Sequence, residues 1–233
     1  MNDIHLYTAS TMNGWKPVIF MEEAGVDYDI THVDFSRRQQ KSAEYLAINP
    51  NGRIPSIIDR SNNNFTVIES GAILWYLAKK YQMFLPSDIS SESEVLQWVM
   101  FQMGGIGPMM GQAMFFQRIA PKHGEHNAYA IERYTSESRR LLEVLDTRLR
   151  NRTFLVGEVY TIADMATYPW ARAYHWAKVD ISGLTHLQAW LDRIDQREAT
   201  QRALTIPEPF DAFFGKGELA QQEQQEQANA DRF

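Results

Sequence analysis

No cysteine occurs anywhere in the 233 residues. A structural disulfide, thiolate metal ligands and a protein thiol nucleophile are thereby excluded. Excess positive charge is missing as well: 23 Lys and Arg stand against 29 Asp and Glu, a net charge of -6. Nucleic-acid binding, which needs clustered cations against phosphate, is not expected. Arg37-Arg38 and Arg139-Arg140 are short pairs that fit solvated helix faces. No apolar run approaches the roughly 18 residues of a membrane-spanning helix. The opening MNDIHLYTAS lacks the basic start and apolar stretch of a secretory signal. A cytoplasmic location and no membrane partner are the resulting expectations. The six His show no metalloprotease spacing, so no metal is expected.

The chain divides into two kinds of pattern. Ile4, Leu6 and Thr8 alternate with His5 and Tyr7, as in a strand. A turn over 9–14 leads into a helix from Trp15 to Ala24, closed by Gly25. A second strand over Tyr28–Phe35 and a short helix over Ser42–Leu46 follow. After the turn Asn49-Pro50-Asn51-Gly52, an extended run over 54–59 and its return over Phe65–Ile68 form a hairpin with Asn62-Asn63-Asn64 at its tip. Ser70–Tyr81 is an apolar helix. The order β-α-β-α-β-β-α predicts a mixed sheet covered by helices, over residues 1–86. Residues 87–93, with Ser-Asp-Ile-Ser-Ser, read as a linker. Residues 94–206 read as helical throughout: Glu94–Phe116, broken near Gly104-Gly105-Ile106-Gly107, then Asn127–Leu149, Thr161–Ala177 and Leu187–Ile194. The Gln- and Glu-rich remainder, 207–233, is expected to be a partly disordered extension.

Three segments could carry chemistry. The turn from Thr8 to Lys16 gathers Ser10, Thr11 and Asn13 at the start of a helix, where free N–H groups and the helix dipole favour an anion. These residues fit two roles, donors to a bound anion or plain capping and turn residues. Ile54-Pro55, if cis, would offer the Ile54 backbone to a peptide-like ligand lying alongside as an added strand. Glu69-Ser70-Gly71 opens a helix: Ser70 could hold a carboxylate and Glu69 an amino group, or the pair could be a simple N-cap. Thr161-Ile162-Ala163-Asp164 is a capping-box pattern and is read as structural. The Met and aromatic residues over 98–116 are read mainly as core, with Met109, Met110, Phe115 and Phe116 candidates for a substrate mouth.

Together these strings resemble the glutathione transferase superfamily, and within it the Nu class of disulfide-bond reductases. The resemblance is carried by Thr11-Met12-Asn13-Gly14, the stretch Ile48 to Pro55, Glu69 to Ile73, Gly104 to Gln112, Ile131 to Tyr134 and Thr161 to Asp164. It implies an α/β thioredoxin-like first domain followed by an all-α helical bundle. It also implies glutathione as bound co-substrate, with Thr11 and Asn13 beside the sulfur as the catalytic pair. Gln40 would meet the glycine end, Ile54 would pair with the cysteinyl backbone, and Arg53 is counted among the glutathione-binding residues. Glu69 and Ser70 would hold the γ-glutamyl head. Gln97 and Arg133 complete the implied set from the helical domain, within the chain or across a homodimer. Met12 stands where relatives often carry Pro, and the Thr-x-Asn pattern sets aside Tyr7 as the thiol's partner. The expected function is disulfide-bond reduction by glutathione thiolate. The alternatives are conjugation of glutathione to electrophilic small molecules and non-catalytic glutathione binding in regulation.

Overall fold

Along Ile4–Thr8 (β1) residues 4, 6 and 8 are buried while 5 and 7 are half-buried, so β1 has the alternation of a sheet's centre. The computed structural model describes residues 2–209. In it β1 runs parallel to Tyr28–His32 (β2) and antiparallel to Ser56–Asp59 (β3), which pairs antiparallel with Phe65–Ile68 (β4). The strand order is β2-β1-β3-β4. Helix α1 (Trp15–Ala24) joins the two parallel strands and packs against α3 (Ser70–Tyr81). Tyr7, pointing to the other face, meets Tyr45 of α2 (Ala43–Ile48), with ring centroids 6.1 Å apart. The expected β-α-β-α-β-β-α order is observed.

One expectation about the second half is corrected. The linker 87–93 is mostly helix: α4 runs Ile89–Phe101, and Asp88 caps it by accepting from Ser91 N–H at 2.9 Å. A polar helix start with a capping Asp carries the same residues as a loop. The expected break near Gly104–Gly107 interrupts the α-helix without a loop. Residues Gln102–Ile106 form a π-helical turn that passes directly into α5 (Gly107–Met114). The helices α6 (Ala128–Leu149), α7 (Ile162–Arg172) and α8 (Thr185–Asp195) follow as expected within a few residues, and a short α9 (Glu198–Ala203) was not foreseen. Of the expected 207–233 extension, residues 210–233 lie outside the described residues, and 207–209 pack back on the first domain through Ser10–Glu208 contacts.

Helix α7 is the axis of the second half. Residues Ile162 to Ala171 are all buried, the pattern of a helix surrounded on every side. It packs against α1, α3, α4 and α8. Its start is the foreseen capping box, and Asp164 does more than cap. Its carboxylate accepts from Leu155 N–H at 2.9 Å, Trp190 Nε1 at 2.9 Å and Thr161 N–H at 3.1 Å. Burial pushes the carboxyl up to about 6, against these donors, which hold it down. The far end of α1 is tied to α9 by Arg197 to the buried Glu23 at 2.6 Å, and by Arg202 to Glu22 at 3.1 Å. One buried apolar cluster runs through both halves, from Ile4 to Ala203.

Replacing Asp164 by Ala leaves those three donors without an acceptor, each costing about 1–3 kcal/mol. The expected loss of unfolding free energy is about 3 kcal/mol or more, read from urea melts. A loss under about 1 kcal/mol would show that Asp164 does not organise this helix.

Candidate functional site

The β1–α1 turn is built by hydrogen bonds that leave donors facing outward. Thr8 Oγ1 donates to Gly14 O at 3.0 Å, Trp15 N–H donates to Thr11 O at 2.9 Å, and Gly14 N–H donates to Thr11 Oγ1 at 3.0 Å. The Thr11 hydroxyl thus accepts from the backbone and keeps its own proton for a group in front of it. Building the turn and donating to a ligand are both available to this one hydroxyl, while α1 has no side-chain cap. Gly14 is dictated by close approach: a Cβ there would lie 2.0 Å from Ala9 O. Asn13 is oriented from 157 residues away, because Trp170 Nε1 on α7 donates to Asn13 Oδ1 at 2.8 Å. An indole N–H can only donate, so the amide oxygen must face it and the amide NH2 is left to donate elsewhere.

Thr11, Met12, Asn13 and Trp170 form one wall of a cleft of about 750 Å³. Gln40, Lys41, the 49–55 loop, Glu69, Ser70 and Met103 also line it. The loop is held by its own network: Tyr45 Oη and Asn49 Nδ2 both donate to Arg53 O, at 2.8 and 2.7 Å. Lys41 Nζ donates to Asn51 O at 3.1 Å. The Ile54–Pro55 bond is cis. Gln40 Oε1 is buried with no hydrogen-bond partner among the described residues. Glu69 has φ 68° and ψ 118°, a backbone state that costs a non-glycine residue about 1–3 kcal/mol. It is held there by Ile73 N–H donating to Glu69 O at 2.8 Å as α3 begins.

Of the residues predicted for the site, Thr11, Asn13, Gln40, Arg53, Ile54, Glu69 and Ser70 all line this cleft. Gln97 and Arg133 do not. Gln97 lies on the exposed face of α4 beside Ser93, and Arg133 lines a separate groove of about 440 Å³ with Met109, Tyr129 and Tyr134. Ser10, grouped with Thr11 and Asn13 as a donor, is corrected: it is fully buried and its hydroxyl donates to Glu208 O. Tyr7 does not line the cleft and stacks on His5, with centroids 4.3 Å apart. Sequence reasoning missed Trp170, Lys41, Met103 and Lys16. Lys16 alone left a signal, a single cation between Trp15 and Pro17-Val18-Ile19-Phe20-Met21, all buried. Its Nζ reaches Gln102 Oε1 at 2.6 Å, Ser70 Oγ at 3.1 Å and Met103 Sδ at 3.4 Å.

Comparison with known proteins follows this geometry. The family pattern described as "Glutathione S-transferase, N-terminal domain" matches residues 2–79, and that described as "Glutathione S-transferase, C-terminal domain" matches 105–198. Disulfide-bond oxidoreductase YfcG of Escherichia coli is 42% identical over 205 residues, spanning 86% of this chain and 94% of the relative. A crystal structure of a glutathione transferase from Burkholderia graminis, with two glutathione molecules bound per subunit, is similar at TM-score 0.84 and 41% identity, over 88% of this chain and 89% of the other. One from Pseudomonas putida, with one glutathione disulfide bound per subunit, has TM-score 0.84 and 38% identity, over 88% and 92%.

Proposed function

Because the chain belongs to the glutathione S-transferase family, we propose that it is a glutathione-dependent disulfide-bond oxidoreductase whose bound glutathione thiolate is held by Thr11 and Asn13. The observation that carries this is the Trp170–Asn13 hydrogen bond, which turns the Asn13 amide NH2 away from the indole. Beside it stand the Thr11 proton and the N-terminus of α1. All three are donors or positive poles, and neither Thr11 nor Asn13 is a base. Such a set does not abstract a proton; it favours the ionised over the neutral thiol. A free thiol titrates near 8.5, so only a few per cent is thiolate at neutral pH, and each unit of lowering gains about tenfold.

The chemistry then balances as follows. The bound thiolate attacks one sulfur of a disulfide R–S–S–R′, forming G–S–S–R and releasing R′S⁻, which takes a proton from water. A second glutathione thiolate attacks the glutathione sulfur of that mixed disulfide, giving G–S–S–G and RS⁻. The substrate gains two electrons and two glutathiones lose one each. A cleft that accommodates both a reduced pair and an oxidised dimer suits this cycle, and the two transferases compared above hold those two forms.

At the other end of the cleft, Ser70 and Glu69 receive the γ-glutamyl carboxylate and amine. Ile54 runs beside the cysteinyl backbone, with the neighbouring Arg53 supplying charge. Gln40 and Lys41 face the glycine carboxylate. The protein acts as a homodimer in which Gln97 and Arg133 face the partner subunit. Phe65 of the first domain and Met100 of the second, 51% and 59% exposed, support this as apolar surface available for burial. It works in the cytoplasm, where glutathione is kept reduced. Among the described residues no helix is long and apolar enough to cross a membrane.

A hydrogen bond to a charged group is worth about 1.5–3 kcal/mol. Thr11→Ala and Asn13→Ala should each lower kcat/KM for glutathione-driven reduction of 2-hydroxyethyl disulfide by about 10- to 100-fold. The pH–rate profile should move to higher pH in both. Unchanged rates in both variants would remove the pair from the mechanism, and faster turnover of 1-chloro-2,4-dinitrobenzene than of the disulfide would favour conjugation.

Trp170→Phe keeps the packing and loses the orienting donor. Its kcat/KM should fall less than that of Asn13→Ala, and the double variant should be no worse than Asn13→Ala alone. Additive losses would mean that Trp170 acts independently of Asn13.

A further inference from the structure

Lys16 is fully buried, and none of its three hydrogen-bond partners is a carboxylate. Two of those partners, Ser70 and Met103, line the cleft. The third, Gln102, belongs to the π-helical turn, and room for its amide is reserved by Gly107, where a Cβ would lie 2.7 Å from Gln102 Nε2. Three separate parts of the fold therefore converge on one ammonium group: the first turn of α1, the start of α3 and the turn before α5.

We propose that Lys16 is a positioning residue for the carboxylate end of the ligand, a buried cation that fixes Ser70 as a donor into the cleft and is charged when that carboxylate is bound. This rests on the proposed seating of the γ-glutamyl carboxylate at Ser70. A serine hydroxyl has one proton. When the ammonium of Lys16 donates to Ser70 Oγ, Lys16 has no lone pair with which to take that proton; the proton points to Met103 Sδ at 3.7 Å, a weak acceptor that itself lines the cleft, and a carboxylate arriving there outcompetes it. A neutral amine has a lone pair and can accept the Ser70 proton instead, which leaves the carboxylate facing an oxygen without a donor. The same ammonium places a positive charge one hydroxyl behind the carboxylate, in surroundings that screen it poorly.

Burial lowers the Lys16 pKa to about 7, and the charge of Glu69 opposes this by raising it. The charged groups on the other elements packed on α1 have hydrogen-bond or ion-pair partners of their own. From α7 come Asp164, held by three N–H donors, and Arg172, paired with Asp195. From the start of α9 and α9 itself come Arg197 and Arg202, paired with Glu23 and Glu22 at the opposite end of α1. An anion arriving at Ser70 is thus the added charge to which Lys16 responds. It favours the ammonium form, so binding above pH 7 draws a proton from solvent onto Lys16 Nζ. The sign follows from linkage: affinity is highest below the free-enzyme pKa and falls as pH rises through it.

S-methylglutathione, which has no thiol to ionise, is the probe. Calorimetric titration of the full chain in phosphate and in Tris, at matched pH values from 6.5 to 8.5, separates proton exchange from binding heat. The expected wild-type result is uptake of roughly half a proton near pH 7.5 and a Kd that rises roughly fivefold across the range, for a one-unit change in the Lys16 pKa. The glutamyl amine of the probe titrates in the same direction and is common to every variant, so the difference between variants is what counts. Lys16→Met should bind weakly at all pH values and lose that difference in uptake. Lys16→Arg, permanently charged, should keep affinity at high pH without it. Equal uptake in wild type and either variant overturns the proposal, as does wild-type binding with no proton exchange. Should Lys16→Met fail to fold, wild type and Lys16→Arg decide. If S-methylglutathione does not bind the wild type at millimolar concentration, the functional reading falls, and this inference with it.

Discussion

Everything at the cleft depends on how α1 is held. A turn of five or six residues between a strand and a helix has little means of fixing its own side chains, and here the second half of the chain fixes them. Trp170 of α7 orients Asn13, Glu208 engages Ser10, Gln102 and Met103 meet Lys16, and Arg197, just before α9, grips Glu23 at the far end of the helix. The helical bundle is in this sense part of the site, although most cleft-lining residues come from the first domain. A site assembled across two halves is present only when both are folded and docked. The continuous buried core and the fully buried α7 make that docking a condition of the fold itself.

The same arrangement explains why the cleft has so few acids. Among its lining residues Glu69 is the one carboxylate, against Lys41 and Arg53, with the buried Lys16 behind Ser70. A tripeptide with one amine, two carboxylates and an ionisable thiol is complementary to such a distribution: a single acid for the amine, cations for the carboxylates, and neutral donors for the sulfur. Neutral donors suit the sulfur because they lower its pKa without creating an ion pair. An ion pair would stabilise the thiolate further but would make it a weaker nucleophile, since nucleophilicity falls as thiol pKa falls. Thr11 and Asn13 therefore sit near a compromise between the fraction ionised and the reactivity of what is ionised.

What the sequence revealed and what it hid divide along physical lines. The strands and long helices are written in periods of 2 and 3.6 residues, and β1, α3 and α6 were legible within a residue or two for that reason. Local motifs were legible too, because Thr11–Gly14, Ile54-Pro55 and Glu69-Ser70 each act through backbone geometry within a few residues. Residues 89–93 were misread because a capped, Ser-rich helix start has the composition of a loop, and α9 was missed because six mostly polar residues show no face. Ser10 was misassigned for a different reason. Its neighbours in sequence face the cleft, but its partner is 198 residues away, at Glu208. No local pattern specifies Trp170 as the donor to Asn13, nor Gln102 as the acceptor for Lys16. Long-range pairing of polar groups has no period, so it becomes visible only in three dimensions.

Lys16 shows how far such a pairing can matter. A lysine among six other buried residues of α1 would ordinarily be a poor choice, because an ammonium taken out of water is costly unless its donors are met. Gln102 Oε1, Ser70 Oγ and Met103 Sδ meet them with dipoles alone. Dipoles offset part of the desolvation without neutralising the charge, and the group is left titrating near neutrality, where a full ion pair would have held it ionised throughout. Apolar residues at both 16 and 102 would avoid the desolvation and leave no polar group unmet. The fold instead retains a cation whose state depends on what occupies the neighbouring cleft. That arrangement is hard to account for as packing, and follows directly if the missing negative charge belongs to the ligand.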